Sequence, residues 1–306
     1  MNARVFIDGQ SGTTGLGIQA RLESMPEIEL AELPAAERKN PAAKADILRT
    51  VDLAILCLPN EAAEESVALI STLGNAAPRV LDASTAHRVA PGWVYGFPEL
   101  ESGQSDKIRA AQRVANPGCH ATGAIALLRP LVDTGLLPAD FPITITSVSG
   151  YSGGGKSMIA DFESGRAPHF ELYALELEHK HVPEIMAYGG LTRRPIFVPS
   201  VGSFAQGMLV SIPLFLDDLP EKPDAMELHA ALASHYVDTA NIRVLRPDGE
   251  TRLEPESLND TNDLELRVFA NPARRQAVLV AKFDNLGKGA SGAAIQNLQL
   301  MLGLSE

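Results

Sequence analysis

The opening residues constrain this chain more than any others. A short apolar segment, Arg4–Ile7, runs into Gly9-Gln10-Ser11-Gly12-Thr13-Thr14-Gly15. From Thr13 to Ser24 the apolar residues Leu16, Ile18 and Leu22 then recur at helical spacing. Strand, glycine turn and helix begin a βαβ unit. Glycine tolerates positive φ and lets a phosphate approach the backbone closely, and the unpaired N–H groups at a helix start favour an anion. Gly9, Gly12 and Gly15 supply such a turn, with Ser11, Thr13 and Thr14 as added hydroxyl donors. The segment is read as a dinucleotide phosphate cradle. Its spacing, G-x-x-G-x-x-G, departs from the usual G-x-G-x-x-G, and a tight turn without a ligand is the plain alternative.

The rest of the first third continues the alternation. Ile28–Leu33, Val51–Leu58, Arg79–Asp82 and Val114–Ala115 read as strands, with a helix from about Glu61 to Leu73. Such alternation predicts a parallel sheet with helices on both faces, a Rossmann-like α/β domain. Further on, Ile143–Ser149, Met208–Leu216, Leu264–Ala270 and Ala277–Phe283 read as strands separated by long polar connections. That pattern predicts a mixed sheet, in a central α+β substrate and dimerisation domain. Gly292–Leu302 is helical again and is expected to return to the first domain. The expected division is 1–118 with 287–306, and 119–286.

Composition excludes several classes. The chain has 306 residues, 26 basic against 38 acidic, for a net charge of −12. That is no footprint for nucleic acid or an anionic membrane. Two cysteines rule out a disulfide scaffold, and no apolar run reaches the ~18 residues of a membrane span. Met1–Ile7 lacks a basic stretch leading into an apolar one, so a reduced, cytoplasmic protein is expected.

Four segments bear chemistry. In Asn116-Pro117-Gly118-Cys119-His120-Ala121-Thr122-Gly123, a sharp turn places Cys119 at a helix start. There the macrodipole favours the thiolate, hence a nucleophile; a small core cysteine is the bland reading, and the one adopted for Cys57. His120 is a rival base, but neighbouring helical side chains diverge, so it is expected to face away. Gly150-Tyr151-Ser152-Gly153-Gly154-Gly155-Lys156-Ser157 satisfies the P-loop spacing, yet it lies in the mixed-sheet region. It is read as a cradle for a smaller phosphate or carboxylate, or as a plain surface loop. Glu178-His179-Lys180-His181-Val182-Pro183-Glu184 offers an acid–base histidine; no further ligand stands at zinc spacing, so no metal is expected. Finally, Glu32 favours a ribose hydroxyl, whereas Arg38 and Lys39 favour a 2′-phosphate. The reading leans to the phosphorylated cofactor.

These segments together resemble the short, second type of the N-acetyl-γ-glutamyl-phosphate reductase family of arginine biosynthesis. The resemblance rests on the Gly9–Gly15 turn, Asp82-Ala83-Ser84-Thr85-Ala86-His87-Arg88, Asn116–Gly123, Gly150–Ser157, His179–Glu184 and Asp284–Gly292, in family order. Related aspartate-semialdehyde dehydrogenases usually carry asparagine, not glycine, before the cysteine. The resemblance implies NADPH-dependent reduction of N-acetyl-L-glutamyl 5-phosphate to the 5-semialdehyde and phosphate through a cysteine thioester. It implies Cys119 as nucleophile and His181 as acid–base group, with His179 the alternative. It puts Ser84 and Asn285 with the glycine turn on the cofactor side, and Arg88, Asn116 and Lys156 on the acyl phosphate. A homo-oligomer, dimer or tetramer, is implied as well. Two rivals stand beside it: an aspartate-semialdehyde dehydrogenase-like enzyme, and a non-catalytic dinucleotide or redox sensor.

Overall fold

The computed structural model describes residues 2–38 and 40–304, so Lys39 lies outside the described residues. The chain forms two compact units: Met1–Pro98 with Gly103–Pro117 and Ala290–Glu306, and Glu99–Ser102 with Gly118–Gly289.

The first unit holds six strands: β1 (Ala3–Asp8), β2 (Ile28–Ala31), β3 (Leu53–Leu56), β4 (Arg79–Asp82), β5 (Val94–Tyr95) and β6 (Arg113–Ala115). They form a sheet in the order β2-β1-β3-β4-β6-β5, parallel at every pair. Side chains alternate between its faces. Val5, Ile7, Leu53 and Ile55 pack on one face with Ile18 of α1 (Thr13–Leu22) and Leu298 of the C-terminal helix Gly292–Leu302. Phe6, Ala54, Leu56 and Val80 pack on the other with Leu48 of α2 (Pro41–Leu48) and Val67 of α3 (Asn60–Ser71). Burial on both faces is why Val5–Ile7 of β1 and the whole of β3 are apolar. A further helix, α4 (Gln104–Ala110), lies against the C-terminal helix.

The second unit holds β7 (Thr144–Gly150), β8 (Phe170–Leu172), β9 (Ile196–Gly202), β10 (Met208–Phe215), β11 (Ile242–Leu245), β12 (Leu264–Asn271) and β13 (Gln276–Phe283). They form a mixed sheet in the order β11-β12-β13-β10-β7-β9-β8. Its helices are α5 (Cys119–Asp133), α6 (Gly155–Glu163), α7 (Val182–Gly189) and α8 (Ala225–His235). The first of these packs on β10, β13, α7 and α8, burying Ala121, Ala124, Ile125 and Leu128. Each such leucine or isoleucine contributes about 1.5–3 kcal/mol. The opposite sheet face is open, with Phe215 61 % and Ile196 52 % exposed. The sequence reading has no strand at Ile196–Gly202. Pro199 interrupts its apolar alternation, but the prolyl carbonyl still serves the sheet by accepting the Tyr173 N–H at 3.2 Å. Among the described residues, no helix is long and apolar enough to cross a membrane.

Candidate active site

In the first unit the glycine turn leads from β1 into α1. Gly9 has φ +90°, and a Cβ there would stand 2.2 Å from the Cys57 carbonyl oxygen. Gly12 differs: the nearest atoms to an added Cβ are 3.6 and 3.9 Å away. Protein packing therefore does not require glycine at 12. Helix α1 starts there without a side-chain cap and without an acid in its first turn. Gly12, Thr13 and Thr14 are partly exposed and Ser11 is exposed. An uncapped helix start beside an open glycine fits a dinucleotide pyrophosphate. Beyond β2, just after a 3-10 turn at Ala35–Glu37, an Arg38 guanidinium N–H donates to Gln10 Oε1 of the glycine turn at 3.4 Å. Glu32 Oε1 accepts from Gln10 Nε2 at 3.3 Å.

The sequence reading assigned nothing to Asp8, which closes β1. Its Oδ2 is 2.7 Å from Lys44 Nζ and accepts from Ser66 Oγ at 2.9 Å. This pair neutralises an acid beside an anion cradle. Nearby, Cys57 is partly buried. Burial, followed by the Asp82 and Asp8 carboxylates, pushes its thiol up to about 12.

The Asp82–Arg88 segment is built around Asp82, which is fully buried. Its carboxylate accepts from Ser84 N–H at 2.9 Å and Ser84 Oγ at 2.7 Å, and lies 2.6 Å from His87 Nδ1. The His87 ring stacks on Trp93 at 4.2 Å. Ser84 thus holds its own loop. Arg88 Nε donates to the Asn116 carbonyl at 3.0 Å. The Asn116 carboxamide is engaged at both ends, donating to Ala290 O and accepting from Asn297 Nδ2, each at 3.0 Å. Among the predicted substrate residues, the structure therefore brings Arg88 and Asn116 together, and both brace the segment just ahead of Cys119.

In the second unit Cys119 is the first residue of α5 and is half-buried. Gly118 is the extended N-cap. The first helical bond runs from Thr122 N–H to Gly118 O at 2.9 Å, so the amides of the first turn point past the sulfur-bearing residue. Two further residues shape this turn, and sequence reasoning gave neither a role. Glu184, 1 % exposed, accepts the Gly118 N–H at 3.1 Å. A Cβ on Gly289 would lie 2.9 Å from the Cys119 Cβ. The turn carrying Gly289 is fixed by Lys288, whose buried ammonium donates to both Glu99 oxygens at 2.7 and 2.9 Å. Both lie in segments that carry the family resemblance, Glu184 in His179–Glu184 and Gly289 in Asp284–Gly292.

The histidines gather here. The rings of His179 and His181 lie 4.7 Å apart, and each is 5.5 Å from the His120 ring. His120 therefore does not face away, as the helical spacing had suggested; it joins the cluster. Both of its ring nitrogens are engaged. Nδ1 is 2.7 Å from Ser147 Oγ and Nε2 is 2.8 Å from Tyr173 Oη. Burial, with His179 and Lys180 adding to it, lowers its pKa to about 3, so the ring is neutral. His179 Nδ1 accepts the His181 backbone N–H at 3.2 Å, and His181 caps α7. Burial first, and then charge on Cys119, raise the Tyr173 phenol above its ordinary value. Among the described residues, no group of three or more His, Cys, Asp or Glu side chains could hold a metal ion.

The Gly150–Ser157 segment forms a tight loop between β7 and α6, and Lys156 stands exposed in the first turn of α6. Asn285 is buried beneath this loop. Its Nδ2 donates to Ser152 Oγ at 2.9 Å and its Oδ1 accepts the Gly207 N–H at 2.8 Å. Its carboxamide pins two loops of the second unit, a task its sequence position did not suggest.

The chain is similar to known proteins over nearly its whole length. Residues 4–108 match the family described as semialdehyde dehydrogenase, NAD binding domain, and residues 119–285 match semialdehyde dehydrogenase, dimerisation domain. The chain is 56 % identical to an N-acetyl-gamma-glutamyl-phosphate reductase of Chelativorans sp. (strain BNC1), over 99 % of each chain. It is 52 % identical to N-acetyl-gamma-glutamyl-phosphate reductase 2 of Pseudomonas putida, over 98 % of this chain and 96 % of that one. Its fold is similar to that of aspartate semialdehyde dehydrogenase II from Vibrio cholerae, with a TM-score of 0.73 at 17 % identity over 99 % of both chains.

Proposed function

The chain belongs to the N-acetyl-γ-glutamyl-phosphate reductase family of semialdehyde dehydrogenases, and on that premise we propose that it reduces N-acetyl-L-glutamyl 5-phosphate to N-acetyl-L-glutamate 5-semialdehyde and phosphate, with NADPH. The observation that carries this is Cys119 at an N-terminus shaped by Glu184 and Gly289, in a chain more than half identical to such reductases over nearly its whole length. The Cys119 thiolate attacks the acyl carbonyl. The carbon–sulfur bond forms as the carbon–oxygen bond to phosphate breaks, leaving a thioester. The nicotinamide cofactor, when bound, supplies the hydride. The oxyanion of the resulting thiohemiacetal then collapses, expelling the thiolate and releasing the aldehyde. First-turn amides beside Cys119 are placed to stabilise that oxyanion, and His181 exchanges a proton with it, with His179 the alternative. Asp82 holds Ser84 and His87, and Arg88 and Lys156 supply cations for a substrate that carries both a phosphate and a carboxylate.

Arg38, bonded to the glycine turn, supports a 2′-phosphate and so NADP over NAD. The open face of the mixed sheet, with Phe215, Ile196 and Val278 exposed, supports a homo-oligomer paired through it. The test is phosphate-dependent reduction of NADP+ by N-acetylglutamate 5-semialdehyde, run beside NAD+ and beside aspartate semialdehyde. Turnover is expected with NADP+ and the acetylated substrate. Preference for aspartate semialdehyde, or stoichiometric dinucleotide binding with no turnover, overturns the proposal.

A further inference from the structure

We propose that Gln10 sets the dinucleotide preference of the first unit, by engaging Glu32 and keeping it from pairing with Arg38. The inference rests on the reading of NADP as the cofactor and deepens it. Glu32, just beyond β2, and Arg38, just beyond the Ala35–Glu37 turn, make opposite choices at the adenosine ribose: an acid there takes the 2′-hydroxyl, a guanidinium the 2′-phosphate. Both side chains are exposed. They meet opposite ends of one neutral carboxamide rather than each other. Gln10 Oε1 accepts from Arg38 Nη2 at 3.4 Å, and Gln10 Nε2 donates to Glu32 Oε1 at 3.3 Å. Gln10 is the second residue of the glycine turn, so this amide is built into the phosphate cradle.

The orientation of the amide is fixed by its neighbours. A guanidinium only donates and a carboxylate only accepts. The end at Arg38 is therefore the oxygen, and the end at Glu32 the nitrogen; a flipped amide would present the wrong group to both charges. A second glutamine fixes the same direction. Gln19, half-buried on α1, donates from Nε2 to Glu23 Oε1 at 2.9 Å. That leaves its Oε1 to accept Gln10 Nε2 at 2.7 Å. The chain runs from one cation through two amides to two carboxylates, and the charged ends set every donor and acceptor. Its consequence is an imbalance. Glu32 is engaged at Oε1. Among the described residues Arg38 meets neutral oxygens alone, Gln10 Oε1 and, at 3.5 Å, Leu33 O, so its charge stays uncompensated beside the cradle. Without the carboxamide the two exposed side chains are free to pair, which would quench the cation and put an acid where a phosphate must sit.

The test is calorimetric titration of the full-length protein with adenosine 2′,5′-bisphosphate and with 5′-AMP, two probes that differ by the 2′-phosphate. Steady-state kinetics with NADP+ and NAD+ run beside it. Wild type is expected to prefer the bisphosphate. Gln10→Met keeps the length of the side chain and removes both hydrogen bonds. It should weaken the bisphosphate about tenfold, as for loss of a hydrogen bond to a charged group, and leave 5′-AMP within about twofold. The kinetic loss should appear in KM for NADP+ rather than in kcat. Gln10→Glu, which pairs with Arg38 and repels Glu32, should lose more. Adding Glu32→Ala to Gln10→Met should bring the bisphosphate back to within about threefold of wild type, because the freed acid is then gone. Unchanged bisphosphate affinity in Gln10→Met overturns the role of Gln10, and so does a double variant no better than Gln10→Met. A wild type that binds both probes equally overturns the NADP reading and this inference with it, so the two failures are seen apart.

Discussion

Each unit carries one cysteine, both half-buried and both unbridged, and the two sit in opposite electrostatic settings. Cys57 follows β3 and faces the acids that close its neighbours, Asp8 and Asp82. They reinforce burial in keeping it a thiol, up to about 12. Cys119 opens a fifteen-residue helix, where the backbone itself favours an anion. Exposure alone does not separate them. What separates them is their setting: strand-end carboxylates near Cys57, and the start of a helix at Cys119.

Substitution should separate the two most sharply. Cys119→Ser is expected to lose at least about 10³-fold in turnover while dinucleotide binding persists, and Cys57→Ser to stay within about threefold, by steady-state assay and fluorescence titration. Comparable losses would erase the contrast. Alkylation should follow the same line. At neutral pH a thiol held near 12 has about a thousandth of the thiolate of an ordinary one, so peptide mapping after brief iodoacetamide treatment should find label on Cys119 and not on Cys57. Gly289→Ala sharpens the comparison geometrically. Its new methyl would meet the Cys119 Cβ at 2.9 Å, and kcat should fall between about tenfold and 100-fold, with dinucleotide affinity kept.

The smallest effect concerns stability. His120 is neutral in the folded protein, with its pKa lowered to about 3, and it takes up a proton near pH 6.5 when unfolded. Below that value the unfolded state binds more protons, so stability falls as pH drops towards the folded value. Urea unfolding should lose about 2 kcal/mol between about pH 7 and about pH 5 from this group alone. His120→Gln should remove that slope, and an unchanged slope would place the acid sensitivity elsewhere.

Much of the architecture was legible in the sequence because burial leaves a pattern. The strands covered on both faces have apolar centres, Val5–Ile7 in β1 and Leu53–Leu56 in β3, and β10 is an apolar stretch whose burial alternates along the strand. Strand β9 is short in apolar residues after Pro199, where Ser200 and Gly202 break the run. The chemistry-bearing segments could be found, but not their internal wiring. Helical spacing sent His120 away from the other histidines. It could not report that Ser147 and Tyr173, both remote in sequence, take its two nitrogens. Nor did any spacing announce that the Asn285 carboxamide bonds Ser152 and Gly207. Hydrogen bonds between distant loops have no period, so no spacing announces them.

The thioester on Cys119 can be sought directly. The protein is mixed with N-acetylglutamyl 5-phosphate in the absence of any dinucleotide, quenched in acid, digested and analysed by mass spectrometry. The expected result is one N-acetylglutamyl group on the peptide bearing Cys119, which is released as semialdehyde when NADPH is added before the quench. Acyl transfer to another residue, or phosphate release that leaves Cys119 unmodified at every time point, would contradict a cysteine nucleophile.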